Sequence, residues 1–300
     1  MSMISNPVFV GVLTIVSFVM GAMVGSFLCC QARRMRLKEL GKKKPGKWSV
    51  CMNCGKRLKW YENIPIISWI IQGGKCRKCK AKIGKAEIIS EVMMGLAFMI
   101  VTTAFVLMAW KGGVGEFKYF AGVMPYAIGM ISTINWWVLA AVLILVASLG
   151  FLAIYDGMYG ELPMLCLTIS AICAIIVVIL KIWSLLVGSC MRCGGMLDWG
   201  ILWNTLGSVL CLGGTYLVLY LVSKGKWVGD GDWILAGIIG LALGQPIWAL
   251  VALLIANISA CVVMWPSVRK KKEKRIYMGP FLVAGYVVTL LIANCGIIYL

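Results

Sequence analysis

Long apolar runs separated by short polar stretches set the pattern of this chain. Eight runs stand out, at residues 8–31, 88–110, 133–155, 162–183, 200–223, 232–246, 247–266 and 277–298. A helix needs roughly 20 apolar residues to cross the hydrocarbon core of a bilayer, and all but the short, Gly-rich sixth run come close to that length. Backbone polar groups in hydrocarbon must find partners within the protein, so only helices and closed barrels span. The period-two alternation of a membrane barrel is absent. The pattern predicts an all-α polytopic membrane protein with about eight transmembrane helices. One sizeable polar region interrupts it, so the expected division is a first transmembrane helix at 1–31, an inserted domain at 32–87 and a seven-helix membrane core at 88–300. The segment 111–132, with Gly112, Gly113, Gly115 and Pro125, reads as a loop on the opposite side of the membrane.

Composition agrees: 61% of the 300 residues are apolar and 13% are charged, against about 25% charged in an ordinary soluble domain. The net charge of +18 would suggest a nucleic-acid partner in a soluble protein, but its distribution argues otherwise. Of the 29 Lys and Arg, 17 lie between Gln31 and Ile88 and six between Arg269 and Arg275, with Lys224 and Lys226 in a third loop. These loops follow the first, seventh and fifth apolar runs, so an eight-span chain places them all on one side. Basic loops stay in the cytosol, which predicts an outside N-terminus and a cytosolic polar domain. The charge then serves topology and anionic lipid headgroups, with no nucleic acid needed. The first apolar run is about twice the length of a signal-peptide core and no positive charge precedes it, so it reads as a retained span.

Four of the 13 cysteines carry a strong spacing signal. Cys51-Met-Asn-Cys54 and Cys76-Arg-Lys-Cys79 are two C-x-x-C pairs, each followed by Gly or Lys in a turn-like setting, as in zinc ribbons. Four thiolates suit a tetrahedral structural zinc, and in a domain with little apolar content the ion would supply folding energy. Cys190 and Cys193 form another C-x-x-C on the outer side, where coincidence or a disulfide fits better than a metal. The cysteines inside the apolar runs read as small packing residues.

The chain has no histidine, which removes histidine triads and histidine proton shuttles, so carboxylates must carry any acid–base work. Acids in or beside apolar runs are functional candidates: Glu91, Asp156, Glu161, Asp230 and Asp232. The third run travels inward and ends at Asp156, while the sixth starts at the inner face with Asp232. Topology therefore brings these two to one depth on one side. Two adjacent carboxylates cannot both ionise cheaply, so one keeps a proton while the other polarises water, the device of aspartic proteases. Capping is the plain alternative for Asp232, whereas Asp156 sits at a helix C-terminus, where negative charge is unfavourable. Between Asp230 and Asp232, helix phase favours the second only weakly.

Several separated motifs, in order, resemble the bacterial type IV prepilin peptidase / N-methyltransferase family, within the G-x-G-D membrane aspartyl proteases. They are Gly25-Ser-Phe-Leu28 with Arg34, Cys51-x-x-Cys54, Trp60-Tyr-Glu-Asn-Ile-Pro65, Ser68-Trp69, Gly74-Lys-Cys76-x-x-Cys79, Glu91, Asp156-x6-Leu-Pro163, Gly229-x-Gly-Asp232 and Gly279-Pro-Phe-Leu282. Two positions depart: Cys29 stands where the family usually has Asn, and Ile234 where it commonly has Lys. The resemblance implies a prepilin or pseudopilin substrate in the bacterial inner membrane, with Asp156 and Asp232 as the catalytic pair. It further implies removal of a leader peptide and methylation of the new N-terminus from S-adenosylmethionine. No Gly-rich nucleoside-binding unit is visible, and Gly74 and Glu62 are the nominated residues for methyl transfer. Alternatives are a peptidase without methylation, or a non-enzymatic transporter or assembly protein.

Overall fold

A computed structural model describes residues 7–41, 48–51, 53–111, 131–190, 199–225, 228–269 and 277–295. The expected outer loop at 111–132 lies almost wholly outside these, as does Cys193 with the side chain of Cys190. Within them the fold is all-helical, and the eight apolar runs all appear. Six are long and apolar enough to cross a membrane: α1 (Pro7–Glu39), α3 (Lys85–Lys111), α4 (Ile131–Tyr159), α5 (Met164–Cys190), the continuous stretch of α6 (Trp199–Val209) and α7 (Thr215–Ser223), and α9 (Pro246–Arg269). Two are shorter, α8 (Asp232–Leu243) and α10 (Gly279–Cys295). The chain is a polytopic helical membrane protein.

At 1.5 Å per residue α1 is roughly 50 Å long, well beyond a hydrocarbon core of about 30 Å. Its last turns therefore project from the bilayer, and nothing breaks the helix before Gly41, which adopts φ +64°. Along its apolar length α1 lies against α3, the most extensive helix pair among the described residues. Gly21-x-x-x-Gly25 makes that possible. A Cβ on Gly21 would meet the Met94 carbonyl oxygen, and one on Gly25 the Ser90 carbonyl oxygen. Small residues four apart let membrane helices approach backbone to backbone.

The core lies among α3, α4, α5, α8, α9 and α10, around residues such as Leu145, Leu149, Leu152, Leu235, Ile239, Leu282 and Tyr286, all with almost no exposure. At its centre is α8, which spans only about 18 Å and stops inside the bundle at Gly244, φ +72°. Helix-terminal carbonyls left in hydrocarbon are costly. Here Lys181 Nζ, reaching from α5, donates to the Ala242 carbonyl at 2.7 Å. The α6–α7 stretch is widened by a π-helical segment, Leu210–Gly214, and packs on α8 through small residues. Ser208 Oγ donates to Gly240 O at 2.6 Å.

The polar domain between α1 and α3 holds a short 3₁₀ turn, Trp60–Asn63, and the one-turn helix α2 (Ile67–Ile71). One carboxylate of α3 clamps it to the bundle, while another joins α3 to α1. Glu87 pairs with Arg33 of α1 at 2.5 Å, and buried Glu91 accepts the backbone N–H of Ile66 at 2.7 Å. Ile66 holds φ +62°, a region that β-branched residues rarely enter.

Gly21→Val should push α1 off α3 and lower stability in detergent by about 1–3 kcal/mol, the usual effect of overpacking. Thermal unfolding of the purified protein measures it.

Candidate active site

The C-terminus of α4, the N-termini of α8 and α10 and the last turns of α1 meet at one end of the bundle, and each brings a piece of a polar site. Asp156 lies in the last turn of α4 and Asp232 opens α8. They are 5% and 7% exposed, and close enough for their charges to interact. The sequence expectation that topology would unite these two acids is matched by this geometry.

Each carboxylate is oriented by a glycine. The Gly279 N–H donates to Asp156 Oδ2 at 2.9 Å, and the Gly229 N–H donates to Asp232 Oδ2 at 3.0 Å. Only glycine fits at 279, because an added Cβ would come 2.7 Å from Asp156 Oδ2 and 3.1 Å from its Cβ. The Gly279-Pro-Phe-Leu282 motif thus has a task that spacing alone did not reveal: it starts α10 with an N–H aimed at Asp156. Asp232 also takes part in starting α8, since its side chain reaches back to the Gly229 N–H three residues earlier as the acid of a capping box does.

Asp230 and Asp232 part company in the structure. Asp230 is exposed and hydrogen-bonded to the Tyr220 hydroxyl, whereas Asp232 faces inward. Tyr216 of α7 is buried within electrostatic reach of Asp232, and its hydroxyl donates to Asn257 Oδ1 of α9 at 3.4 Å. Neither residue was signalled by the sequence, where both sit in unbroken apolar runs. Ile234, in place of the expected Lys, is half-buried and packs against the core.

Beside the acids, α1 ties down the end of α4. Arg36 bridges to Glu161 at 2.7 Å and to Glu39 at 3.2 Å. Glu39 accepts from the Tyr155 hydroxyl at 2.6 Å, and the Arg36 guanidinium lies 5.4 Å from the Tyr159 ring centre. Tyr155 is the residue before Asp156, so this network fixes the turn that carries the acid.

The Cys51/Cys54 and Cys76/Cys79 segments form two matching knuckles, 25 positions apart in the sequence. Bridges Val50–Arg57 and Lys75–Lys82 close them. Cys51 N donates to Lys56 O, and Cys76 N donates to Ala81 O, both at 2.9 Å. The residue after each second cysteine takes positive φ, +65° at Gly55 and +56° at Lys80. The four Sγ atoms lie within 4.8 Å of one another, and Cys51 and Cys79 Sγ are 3.8 Å apart. A tetrahedral site with metal–sulfur bonds of about 2.3 Å has edges of roughly 3.8 Å, so the four residues fit a metal ion. Backbone N–H donation from Ala81 and the Asn53 amide lower the Cys79 thiol, while burial and the neighbouring thiols raise that of Cys54.

The two residues nominated for methyl transfer sit at different places in this domain. Glu62 is buried with both oxygens engaged, Oε2 by the Lys59 N–H at 2.9 Å and Oε1 by Lys56 Nζ at 3.0 Å. Those bonds hold its carboxyl below the ordinary value. Gly74 has φ +65° and abuts the Trp69 indole, which an added Cβ would meet at 2.9 Å.

The purified wild-type chain should contain one divalent metal per molecule by atomic emission. Cys51→Ser should lower that content severalfold and make the polar domain the first target of limited proteolysis.

Comparison with known proteins follows the same lines. Residues 19–105 match the family model of the Bacterial Peptidase A24 N-terminal domain. A prepilin leader peptidase/N-methyltransferase of Stutzerimonas stutzeri is 28% identical over 245 residues, 81% of this chain and 71% of that protein. One of Pseudomonas aeruginosa is 27% identical over the same shares. One of Myxococcus xanthus is 40% identical over 81 residues, 27% of this chain and 23% of that protein. No solved structure matches. The resemblance read from the motifs is therefore borne out: the chain is an enzyme related to the bacterial prepilin leader peptidase/N-methyltransferases.

Proposed function

We propose that this chain is a membrane aspartyl endopeptidase that removes leader peptides from prepilins or pseudopilins at the cytosolic face of the bacterial inner membrane, then N-methylates the new terminus. The observation that carries the reading is the burial of Asp156 and Asp232 within electrostatic reach of each other at one end of the bundle, each held by a glycine N–H. That end also carries the basic polar domain, so the positive-inside rule assigns it to the cytosol and the N-terminus to the outside. A precursor with an apolar helix in the bilayer and a polar leader in the cytosol would present its scissile bond at this depth. Membrane lipids surround the rest of the bundle.

In the proposed chemistry the backbone occupies Oδ2 of each acid, and the other oxygens face substrate and water. The ionised aspartate takes a proton from water as the water oxygen bonds to the peptide carbonyl carbon. The protonated aspartate gives its proton to the carbonyl oxygen. Collapse of the tetrahedral centre breaks the C–N bond as the departing nitrogen takes up a proton from the first aspartate and a hydroxyl of the centre returns a proton to the second, which restores both acids and leaves a carboxylic acid. Exposed glycine backbone at Gly229 leaves room for an extended peptide to approach Asp232.

In the polar domain (32–87), Cys51, Cys54, Cys76 and Cys79 would hold a structural zinc ion, which locks the two knuckles and takes no part in hydrolysis. S-adenosylmethionine would supply the methyl group: a bond forms between the methyl carbon and the new terminal amine as the carbon–sulfur bond breaks, its electron pair staying on sulfur and the amine's proton passing to water.

Co-expression with a candidate prepilin, followed by mass measurement of the product and its N-terminus, tests the reading. Asp156→Asn and Asp232→Asn should each lower cleavage by roughly 10²- to 10⁴-fold, the usual scale of a lost acid–base group, with the helical content unchanged. Gly279→Ala should weaken cleavage as well, because its methyl group displaces the Asp156 carboxylate. Full cleavage by either Asn variant would refute the pair, and a shortened but unmethylated wild-type product would leave a peptidase alone.

A further inference from the structure

The short helix α2 has two unlike faces. Ser68, Trp69 and Gln72 line a cavity between the polar domain, α1 and α3. Ile67, Ile70 and Ile71, at the i, i+3 and i+4 positions that share a helix face, are 55%, 62% and 67% exposed. Single apolar side chains on a surface are ordinary, but a cluster of large ones marks a contact. A single helical turn is not stable alone in water and isoleucine is not a strong helix former, so local propensity does not explain three isoleucines here.

The depth of α2 identifies its neighbour. Ile66, the residue that opens α2, donates its N–H to the Glu91 carboxylate of α3. Glu91 lies inside the second apolar run and follows Ser90, whose carbonyl faces Gly25 of α1 at a backbone-to-backbone approach. Gly25 precedes Gln31, where the first apolar run ends, by enough residues to place it about 9 Å on the hydrocarbon side of that boundary. The Glu91 side chain leans back toward the start of α3, as helix side chains do, and so brings α2 into the outer part of that layer. Helices that lie in the plane of a membrane interface bury their apolar face by about 5–10 Å. Ser26 and Cys29, also within the first apolar run, line the cavity behind α2, which sets the same level from the side of α1.

The chain after α2 supplies charge to match. Lys75, Arg77, Lys78, Lys80 and Lys82 belong to the second knuckle and are all exposed. The three acids between Gln31 and Ile88 are already paired, Glu39 with Arg36, Glu62 with Lys56 and Glu87 with Arg33. The surplus positive charge therefore faces outward. A leaflet of anionic headgroups over acyl chains matches both the apolar face and the basic segment that follows it.

We infer that α2 is an in-plane membrane anchor of the polar domain: Ile67, Ile70 and Ile71 insert among the acyl chains just below the headgroups, and the basic second knuckle lies on anionic headgroups beside them. The polar domain is then held to the bilayer at α2 as well as through α1 and α3. The anchor depends on the membrane helices alone and on neither activity proposed above.

A small fluorescent amino acid at Ile70, and in a second protein at Ile71, tests this in the full chain reconstituted into vesicles of phosphatidylcholine and phosphatidylglycerol. At the expected depth, lipid brominated near the headgroup end of its acyl chains should quench emission at both positions by about twofold or more, while iodide in the water has little effect. The same probe at Lys78 should respond to iodide and not to bromine. An unchanged metal content in each protein shows that the polar domain is folded. Quenching by iodide and not by bromine at Ile70 and Ile71 would place this face in water and overturn the anchor. Protection from both quenchers would mean that protein covers the face, a second copy or another partner, and would overturn it equally.

Discussion

Everything at this end of the protein follows from the burial of two carboxylates at one end of the helix bundle. Charge there is tolerated only with close partners, and the partners supplied are backbone N–H groups of glycines. Gly279 contacts the Asp156 carboxylate so closely that no side chain could stand there. The start of α10, the end of α4 and the start of α8 must therefore coincide within a few ångströms. The small-residue contacts of α8 with α6 and the Lys181 bond to its far end keep that short helix in place. Without them the acid at its N-terminus would have no fixed position.

The polar domain is coupled to the same end by charge and shape. Arg33, Arg36 and Glu39 continue α1 beyond the apolar run and tie it to α3, to α4 and to the loop after α4. Glu91 reaches from α3 to hold Ile66 in an unusual conformation. Strain of that kind persists only where surrounding structure enforces it. Here it fixes the chain entering α2, and with it Trp69.

Much of this was legible in the sequence. Apolar length and composition located all eight apolar helices, six of them long enough to cross a membrane, because bilayer thickness leaves little freedom. The four cysteines were legible from spacing, since a knuckle is a local structure, and the two aspartates from topology and motif together. Less legible was whatever depends on helix rotation or on contacts between distant segments. Tyr216 and Asn257 look like ordinary members of apolar runs until α7 and α9 are packed. Glu62 was nominated for methyl transfer, and nothing in the spacing says that Lys56 and the Lys59 N–H would take both its oxygens. Gly279 belonged to a motif without a task until α10 was placed on Asp156. Gly21-x-x-x-Gly25 was a readable signal for close helix packing, and the structure shows its use.

The most direct test of the central claim is to find where a substrate's scissile bond rests. A prepilin-like substrate carrying a photoreactive residue at the cleavage position, cross-linked to the Asp156→Asn protein in bilayers and mapped by mass spectrometry, makes that measurement. The account predicts adducts on the segments around Gly229–Asp232 and Met278–Gly279. Adducts confined to the polar domain or to the opposite end of the bundle would contradict it.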